Sequence, residues 1–456
     1  MTTTSSPPIV SLQSPKDVSI DYIEKELREI WQSYSTGDEN FAATRATTFT
    51  LVVYEPEESQ QLLAALGFYT GPIDGIAGPR TIAALKAAQK AYGLEVTAKP
   101  SEALLSKLRE EYTKAKESGS PTEENGTVAL KYSPDLEGGA VADAIAAANP
   151  CRIITLCPIV GEDEGVTAQV SAYCPIQKQS KSSLICCEYI TLRGTAEALE
   201  RVGGIISELM IGELPKFVWW KATPDPEFGL FKRLMASGDS LIIDSSSFNK
   251  TEADLAAIAA LMKEGTAIAD LNWRRLAAWQ ELTAEAFDPP ERRAALTEVD
   301  KVTIDYEKGN QAQALMYLGW LGSRLQWKPV SYEKEGGDYD IRRVKFTTED
   351  HREIEAELAG IPTADWGEIA GDLISLRLSS TNLNADCCTV LCSETTGCMR
   401  MEAGGGAQAC RIQQVTPLFD QKTEKLLSQQ LQRWGREVLY EESLAVTGQI
   451  LHLIED

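Results

Sequence analysis

The sequence predicts a multidomain chain of mixed class, α/β in its centre and α+β towards its C-terminus, with a small helical block near the N-terminus. Three observations carry that prediction. The chain has 456 residues, more than a single core of ordinary size organises. Between about 128 and 305, strand-like and helix-like segments alternate, the pattern of a sheet layered with helices. From 340 to 414, strand-like segments follow one another through short turns, the pattern of an antiparallel sheet.

Residues 1–57 are read as a tail, a helix and a strand. The first fifteen are rich in Ser, Thr and Pro and are expected to be disordered. KDVSIDYIEKELREIWQSYS (16–35) carries apolar residues at helical spacing, and TTFTLVVYEP (47–56) reads as a strand. Residues 58–113 are an Ala-rich helical block. Gly67 suits a helix C-cap, where a positive φ costs little, Asp74-Gly75 suits a turn, and Pro79 suits the first turn of a second helix. Residues 114–127, KAKESGSPTEENGT, are a linker by composition.

The 128–305 domain has strand candidates CRIITLCPIV, TAQVSAYC, SLICCEYITLR, KFVWWKA and SLIIDSSS. Its helix candidates are VADAIAAA, AEALERVGGIISELM, PEFGLFKRLMAS and TEADLAAIAALMKEG. The 306–456 domain opens with the apolar helix GNQAQALMYLGWLGSRLQW. The strands DIRRVKFTT, HREIEAEL, LISLRLSS, CCTVLCSE, CMRMEA and ACRIQQV follow, then helices at 417–434 and 436–453.

The net charge of −23 repels phosphate backbones and anionic lipid, so nucleic acid and membrane surfaces are not expected partners. The N-terminal MTTTSSPPIVSLQSPKD has neither the basic nor the apolar region of a signal peptide, and no apolar run reaches membrane-spanning length. A cytoplasmic protein is expected, with its ten cysteines outside a static disulfide framework.

Catalytic raw material is sparse. The two histidines, His351 and His452, lie in no motif and read as surface residues. No GxxxxGK[ST] occurs, and no GxGxxG follows a strand. No catalytic set and no cofactor is assigned.

The segment CCTVLCSETTGC (387–398) concentrates four cysteines, with Cys410 beyond. No CxxC occurs and adjacent Cys387 and Cys388 alternate across a strand, so no metal site is assigned. TVLCSE, the turn ETTG and CMRME read as a hairpin with Cys392 and Cys398 roughly opposite each other. Cross-strand Cβ atoms lie about 4.5–5.5 Å apart, close to what a disulfide needs. Two readings stand side by side: an exposed, reducible hairpin-tip bond, or small residues packed in a sheet. Cys151, Cys157, Cys174, Cys186, Cys187, Cys387 and Cys388 read as core. The tryptophans read mainly as core; Trp273, Arg274 and Arg275 are candidates for a partner interface, with a solvated helix face as the alternative.

Two resemblances emerge. LLAALGFYTGPIDGIAGPRTIAALKAAQKAYGL (62–94) resembles the peptidoglycan-binding-like module, a three-helix domain. It implies either cell-wall binding or a scaffold reused for packing, with Tyr69, Asp74 and Arg80 more simply read as turn, cap or surface residues. NPCRIITL (149–156), LPKFVWWKA (214–222), SLIIDSSSF (240–248), ADLNWRRLAAWQELTAEAFDP (269–289) and ALMYLGWLGSRLQW (314–327) resemble the OpcA family of bacterial glucose-6-phosphate dehydrogenase assembly proteins, above all its cyanobacterial members. This resemblance implies a non-enzymatic allosteric activator that binds the dehydrogenase oligomer. It also implies thioredoxin as a redox partner, which would give the Cys392–Cys398 pair a purpose. Nothing implies that this chain binds the dehydrogenase's NADP. A cell-wall protein and a metal-binding redox protein are the competing readings.

Overall fold

The computed structural model describes residues 9–35, 43–45, 47–70, 73, 75–118, 145, 150–175, 184–248, 250–362, 369, 371–382, 386–393, 398–405, 412–417, 423–433 and 435–453. The chain is of mixed α/β class and divides into two compact units, residues 1–243 with 423–434, and residues 244–422 with 435–456.

Unit 1 contains β1 Ile9–Val18, α1 Ile23–Ser35, β2 Ala43–Arg45, β3 Thr50–Tyr54, α2 Glu58–Ala65, α3 Pro79–Ala91, α4 Glu102–Ser118, β4 Arg152–Pro158, β5 Thr167–Pro175, β6 Leu184–Gly194, α5 Ala196–Arg201, α6 Gly203–Leu209, β7 Lys216–Trp220, α7 Gly229–Ser237 and β8 Ser240–Ile243. The strands run in the order β1-β5-β6-β4-β3-β7-β8, with β2 beside β6. From β6 to β8 every pair is parallel, while β5 and β1 add an antiparallel edge. TLVVY of β3 and RIITLCP of β4 are buried at every position. Such unbroken runs suit parallel strands covered on both faces, and they explain why no polar alternation marked them.

Three expectations shift here. Ser/Thr/Pro composition argued for disorder to residue 15, but a strand begins at Ile9 and pairs with β5. The 16–35 helix begins only at Ile23, after a 3-10 turn at Ile20–Tyr22. AEALERVGGIISELM is two helices, broken at Val202 ahead of a Gly pair. Of the proposed helix VADAIAAA, only Ile145 lies within the described residues.

The helical block is the crossover that carries the chain from β3 to β4. Leu62, Leu63, Ala84, Leu85, Leu104 and Leu108 form its small core, and Arg109 clamps Glu58 with two hydrogen bonds of 2.7 and 2.8 Å.

Unit 2 contains α8 Thr251–Lys263, β9 Ile268–Asp270, α9 Leu271–Arg275, α10 Ala277–Phe287, α11 Pro290–Leu296, β10 Lys301–Glu307, α12 Ala312–Leu325, β11 Lys328–Gly336, β12 Ile341–Thr347, β13 Glu353–Ile361, β14 Leu373–Ser379, β15 Asp386–Ser393, β16 Cys398–Gly405, β17 Ile412–Pro417 and α13 Val438–His452. Its eight-stranded sheet has the order β11-β12-β13-β10-β14-β15-β16-β17. The expected all-antiparallel sheet holds for every neighbouring pair but one. β10 inserts in the middle and runs parallel to β13, because α12 and the β11–β12 hairpin return the chain to its flank. Strands β12 and β13 alternate buried and more exposed residues, as a sheet with one covered face requires.

Helix α12 is buried from Ala312 to Gly322 and packs on α13. The close approach occurs at Gly319, where a Cβ would lie 2.5 Å from the Ser443 carbonyl oxygen. The Ser443 and Thr447 hydroxyls donate across the seam to the Met316 and Leu315 carbonyls.

Candidate functional site

An open, doubly wound sheet binds ligands outside the carboxyl ends of its strands, where the winding reverses. In unit 1 that point lies between β3 and β7. The last residues of these strands, Tyr54 and Trp220, stack with ring centroids 3.9 Å apart and planes 3° from parallel. Phe228 and Phe231 meet Trp220 edge-on, and the Trp220 indole N–H donates to the Thr223 carbonyl.

The residues after β3 are Glu55, Pro56 and Glu57, where a dinucleotide-binding turn would have glycines. Glu55 accepts from the Lys221 ammonium at 2.5 Å, and that ammonium lies 4.9 Å from the Trp219 ring centroid. Glu57 caps α2: its carboxylate accepts from the Gln60 amide at 2.7 Å, the Ser59 hydroxyl at 2.6 Å and the Val160 amide at 3.4 Å. Burial raises the Glu57 pKa although these hydrogen bonds oppose the shift. A helix N-terminus of this kind is an anion site when its amides are free; here the chain's own carboxylate occupies it.

The turn ahead of α3 closes the same end. Gly75 has φ +78°, its amide donates to Gln60 Oε1, and a Cβ there would lie 2.6 Å from Cβ of Pro158, the last residue of β4. Tyr69 is buried, with its hydroxyl oxygen 3.5 Å from Thr81 Oγ1, so it faces the block's interior rather than a ligand. Arg80 is exposed, and Asp74 lies outside the described residues.

Unit 2 has a second polar centre, in its core. Asp244 receives two hydrogen bonds from the Arg275 guanidinium, at 2.7 and 2.8 Å. Asp270 accepts from the Ser245 and Asn272 amides, with the Tyr440 hydroxyl 3.4 Å from its other oxygen. Gln313 donates to Asn272 and to Asp372. Burial, then the neighbouring Asp244 charge, pushes Asp270 up to about 6. Burial also acts to raise Asp244, but the Arg275 charge and hydrogen bonds outweigh it and hold Asp244 below its ordinary value.

The proposed interface residues fall in this interior, which corrects their reading as a presented surface. Trp273 is buried and its indole N–H donates to Glu437 at 3.1 Å. Arg274 contacts the same carboxylate, and Arg275 is spent on Asp244. The i+1 spacing showed three large polar or aromatic residues; it carried no sign that Asp244 and Glu437 would claim them. Trp219, Trp220, Trp279, Trp320 and Trp327 are buried too, and His351 and His452 are exposed.

The cysteine hairpin forms between β15 and β16, one step away from the expected register. Cys392 faces Met399 and Ser393 faces Cys398. A one-residue offset puts the two cysteines at alternate positions of the pleat. Their side chains and Cys410 lie outside the described residues. Cys151, Cys157, Cys187 and Cys388 are buried. Among the described residues no group of three His, Cys, Asp or Glu could hold a metal, and no helix is long and apolar enough to cross a membrane.

The fold and site define a two-unit protein whose doubly wound half has the strand order of a nucleotide-binding sheet, with buried aromatic rings and the Glu57 carboxylate at the carboxyl ends of its central strands. Residues 142–260 match the family model described as the glucose-6-phosphate dehydrogenase subunit N-terminal domain, and residues 266–444 match the corresponding C-terminal domain. Residues 54–108 match the model named "Putative peptidoglycan binding domain". The chain is 60% identical over 453 residues to the "Putative OxPP cycle protein OpcA" of Synechocystis, covering 99% of this chain and 95% of that one. It is 63% identical to the protein of the same description from Nostoc punctiforme, over 98% and 96% of the two chains. The chain belongs to the OpcA family. Among solved structures, a 3-ketoreductase from Actinomadura kijaniata matches at 12% identity with a TM-score of 0.36, over 55% of this chain and 79% of that one; a likeness at that level carries no argument.

Proposed function

We propose that this chain is a non-catalytic activator and assembly factor of glucose-6-phosphate dehydrogenase, acting in the cytoplasm and responsive to thiol redox state. Family membership along nearly the whole chain is the observation that carries this reading. The filled end of the β3–β7 sheet supports a protein-binding role over a catalytic one, since Glu57 spends the amides a cofactor phosphate would use. The helical block, built into a crossover with Tyr69 turned inward, supports a scaffold role over cell-wall binding.

Cys392 and Cys398 remain our redox pair, with thioredoxin as the reductant. The β15–β16 offset means that the bond requires a local one-residue shift at the hairpin tip. The decisive experiment measures dehydrogenase activity at subsaturating glucose 6-phosphate, with and without this protein, after oxidation or after reduction by thioredoxin. The expected result is activation by the oxidised protein that weakens on reduction. An unchanged redox response in Cys392→Ser and Cys398→Ser would remove the pair. No activation in either state would remove the dehydrogenase as partner.

A further inference from the structure

The N-terminal end of the unit 1 sheet, opposite the filled crevice, brings two other cysteines together. β4 and β6 are parallel with Arg152 facing Glu188, so the preceding residues, Cys151 and Cys187, lie side by side. Neighbouring strands are about 4.7–4.9 Å apart, within the roughly 4.4–6.8 Å Cα separation that disulfides span. The Cys151 amide N–H points at Cys187 Sγ, 3.4 Å away. Both residues are buried and free, at 0% and 1% exposure.

We propose that Cys151 and Cys187 are a thiol–disulfide couple of the native protein, oxidised by aliphatic disulfides. The proposal is independent of the dehydrogenase reading.

The two sulfurs are not equivalent. Burial pushes the Cys151 thiol up, whereas a hydrogen bond from that thiol lowers the pKa of Cys187, aided by the Cys151 amide. Cys187 is therefore the attacking thiolate. It displaces one thiolate from the incoming disulfide and forms a mixed disulfide. Cys151 then gives up its proton and attacks the Cys187 sulfur, which releases the second thiolate. One Cys151–Cys187 bond forms, one reagent disulfide is reduced to two thiols, and the two protein thiol protons end on those thiols. Full burial makes local opening a precondition, so oxidation is slow.

The test uses the full chain in native buffer with oxidised glutathione as the probe, followed by acid quench, alkylation in denaturant and peptide mapping. The proposal expects peptide 132–152 linked to peptide 182–193 through Cys151 and Cys187, with loss of both alkylation sites and their return on treatment with dithiothreitol. The link should persist in Cys186→Ala and in Cys392→Ser, and vanish in Cys151→Ala and Cys187→Ala. Wild-type mapping alone decides the matter if an alanine variant fails to fold. Complete alkylation of both residues at every glutathione concentration, a link through Cys186 instead, or a link that appears only past the unfolding midpoint would each overturn the proposal.

Discussion

Each unit buries an arginine among carboxylates, and the two solve the charge problem differently. In unit 1, Arg152 donates to Glu188 at 2.8 Å, to Glu24 and to the Leu209 carbonyl. The Glu188 side chain is 0% exposed but that of Glu24 is 49% exposed, so the surplus negative charge reaches water. In unit 2, Arg275 lies fully buried with Asp244, and Asp270 and Asp372 add further negative charge nearby. Asp270 is itself buried, and burial together with the neighbouring Asp244 charge pushes its pKa up to about 6. A buried ion pair with a solvated third member is a structural clamp. A buried pair with a further buried carboxylate beside it is a clamp that titrates.

That contrast can be broken most forcefully at Arg275. Arg275→Met strands Asp244 without its counter-charge, and urea unfolding should show a loss of about 3–5 kcal/mol. A loss below about 1 kcal/mol would mean that Asp244 takes up a proton at little cost.

Asp270 tests the titration itself. Its folded pKa is about 6 against an ordinary 3.8, so the folded state retains a proton that the unfolded chain has lost. This contribution is complete below about pH 4 and disappears as pH rises towards 6. Asp270→Asn should therefore differ from the native protein by an amount that changes by about 2 kcal/mol between pH 4 and 7, with the native protein relatively more stable at the acid end. The comparison isolates this group from Asp254, which burial also pushes up to about 6. A flat difference across that range would put Asp270 back in the ordinary carboxylate range.

Packing provides a reference that involves no charge. Gly319→Ala forces a methyl against the Ser443 backbone, and a loss of roughly 1–3 kcal/mol is expected from overpacking; no loss would show that the α12–α13 seam yields. The smallest effect belongs to Glu24→Gln. Its carboxylate is half in water, so unfolding should reveal a cost of at most about 1 kcal/mol. A cost matching that of Arg275→Met would erase the distinction between the units.

Much of the fold was legible where a local rule sufficed. Pro79 does start a helix, Gly67 does adopt φ +77°, and the apolar runs of β3, β4 and β7 are buried strands. Where several elements met, local rules fell short. KVTIDYE had to find β13 as well as β14, and nothing in seven residues encodes a parallel partner fifty positions away. The cysteine hairpin was visible as a hairpin, but a one-residue register is decided by all the neighbours of a strand, and β16 is held between β15 and β17.

The candidate site divides in the same way. The two motif-free histidines and the missing P-loop and GxGxxG patterns are properties of the chain, and they left catalytic raw material sparse before any folding. Composition and residue order determined that much, together with the family resemblance carried by the tryptophan-rich segments. Only the tertiary structure decided that the Val160 amide joins the cap Glu57 makes on α2, that Tyr54 stacks on Trp220, that Trp273 and Arg275 face inward, and that Cys151 meets Cys187. Each of these depends on residues tens to hundreds of positions apart or on which face of an element is covered, and burial turns a side chain's chemistry into its environment's.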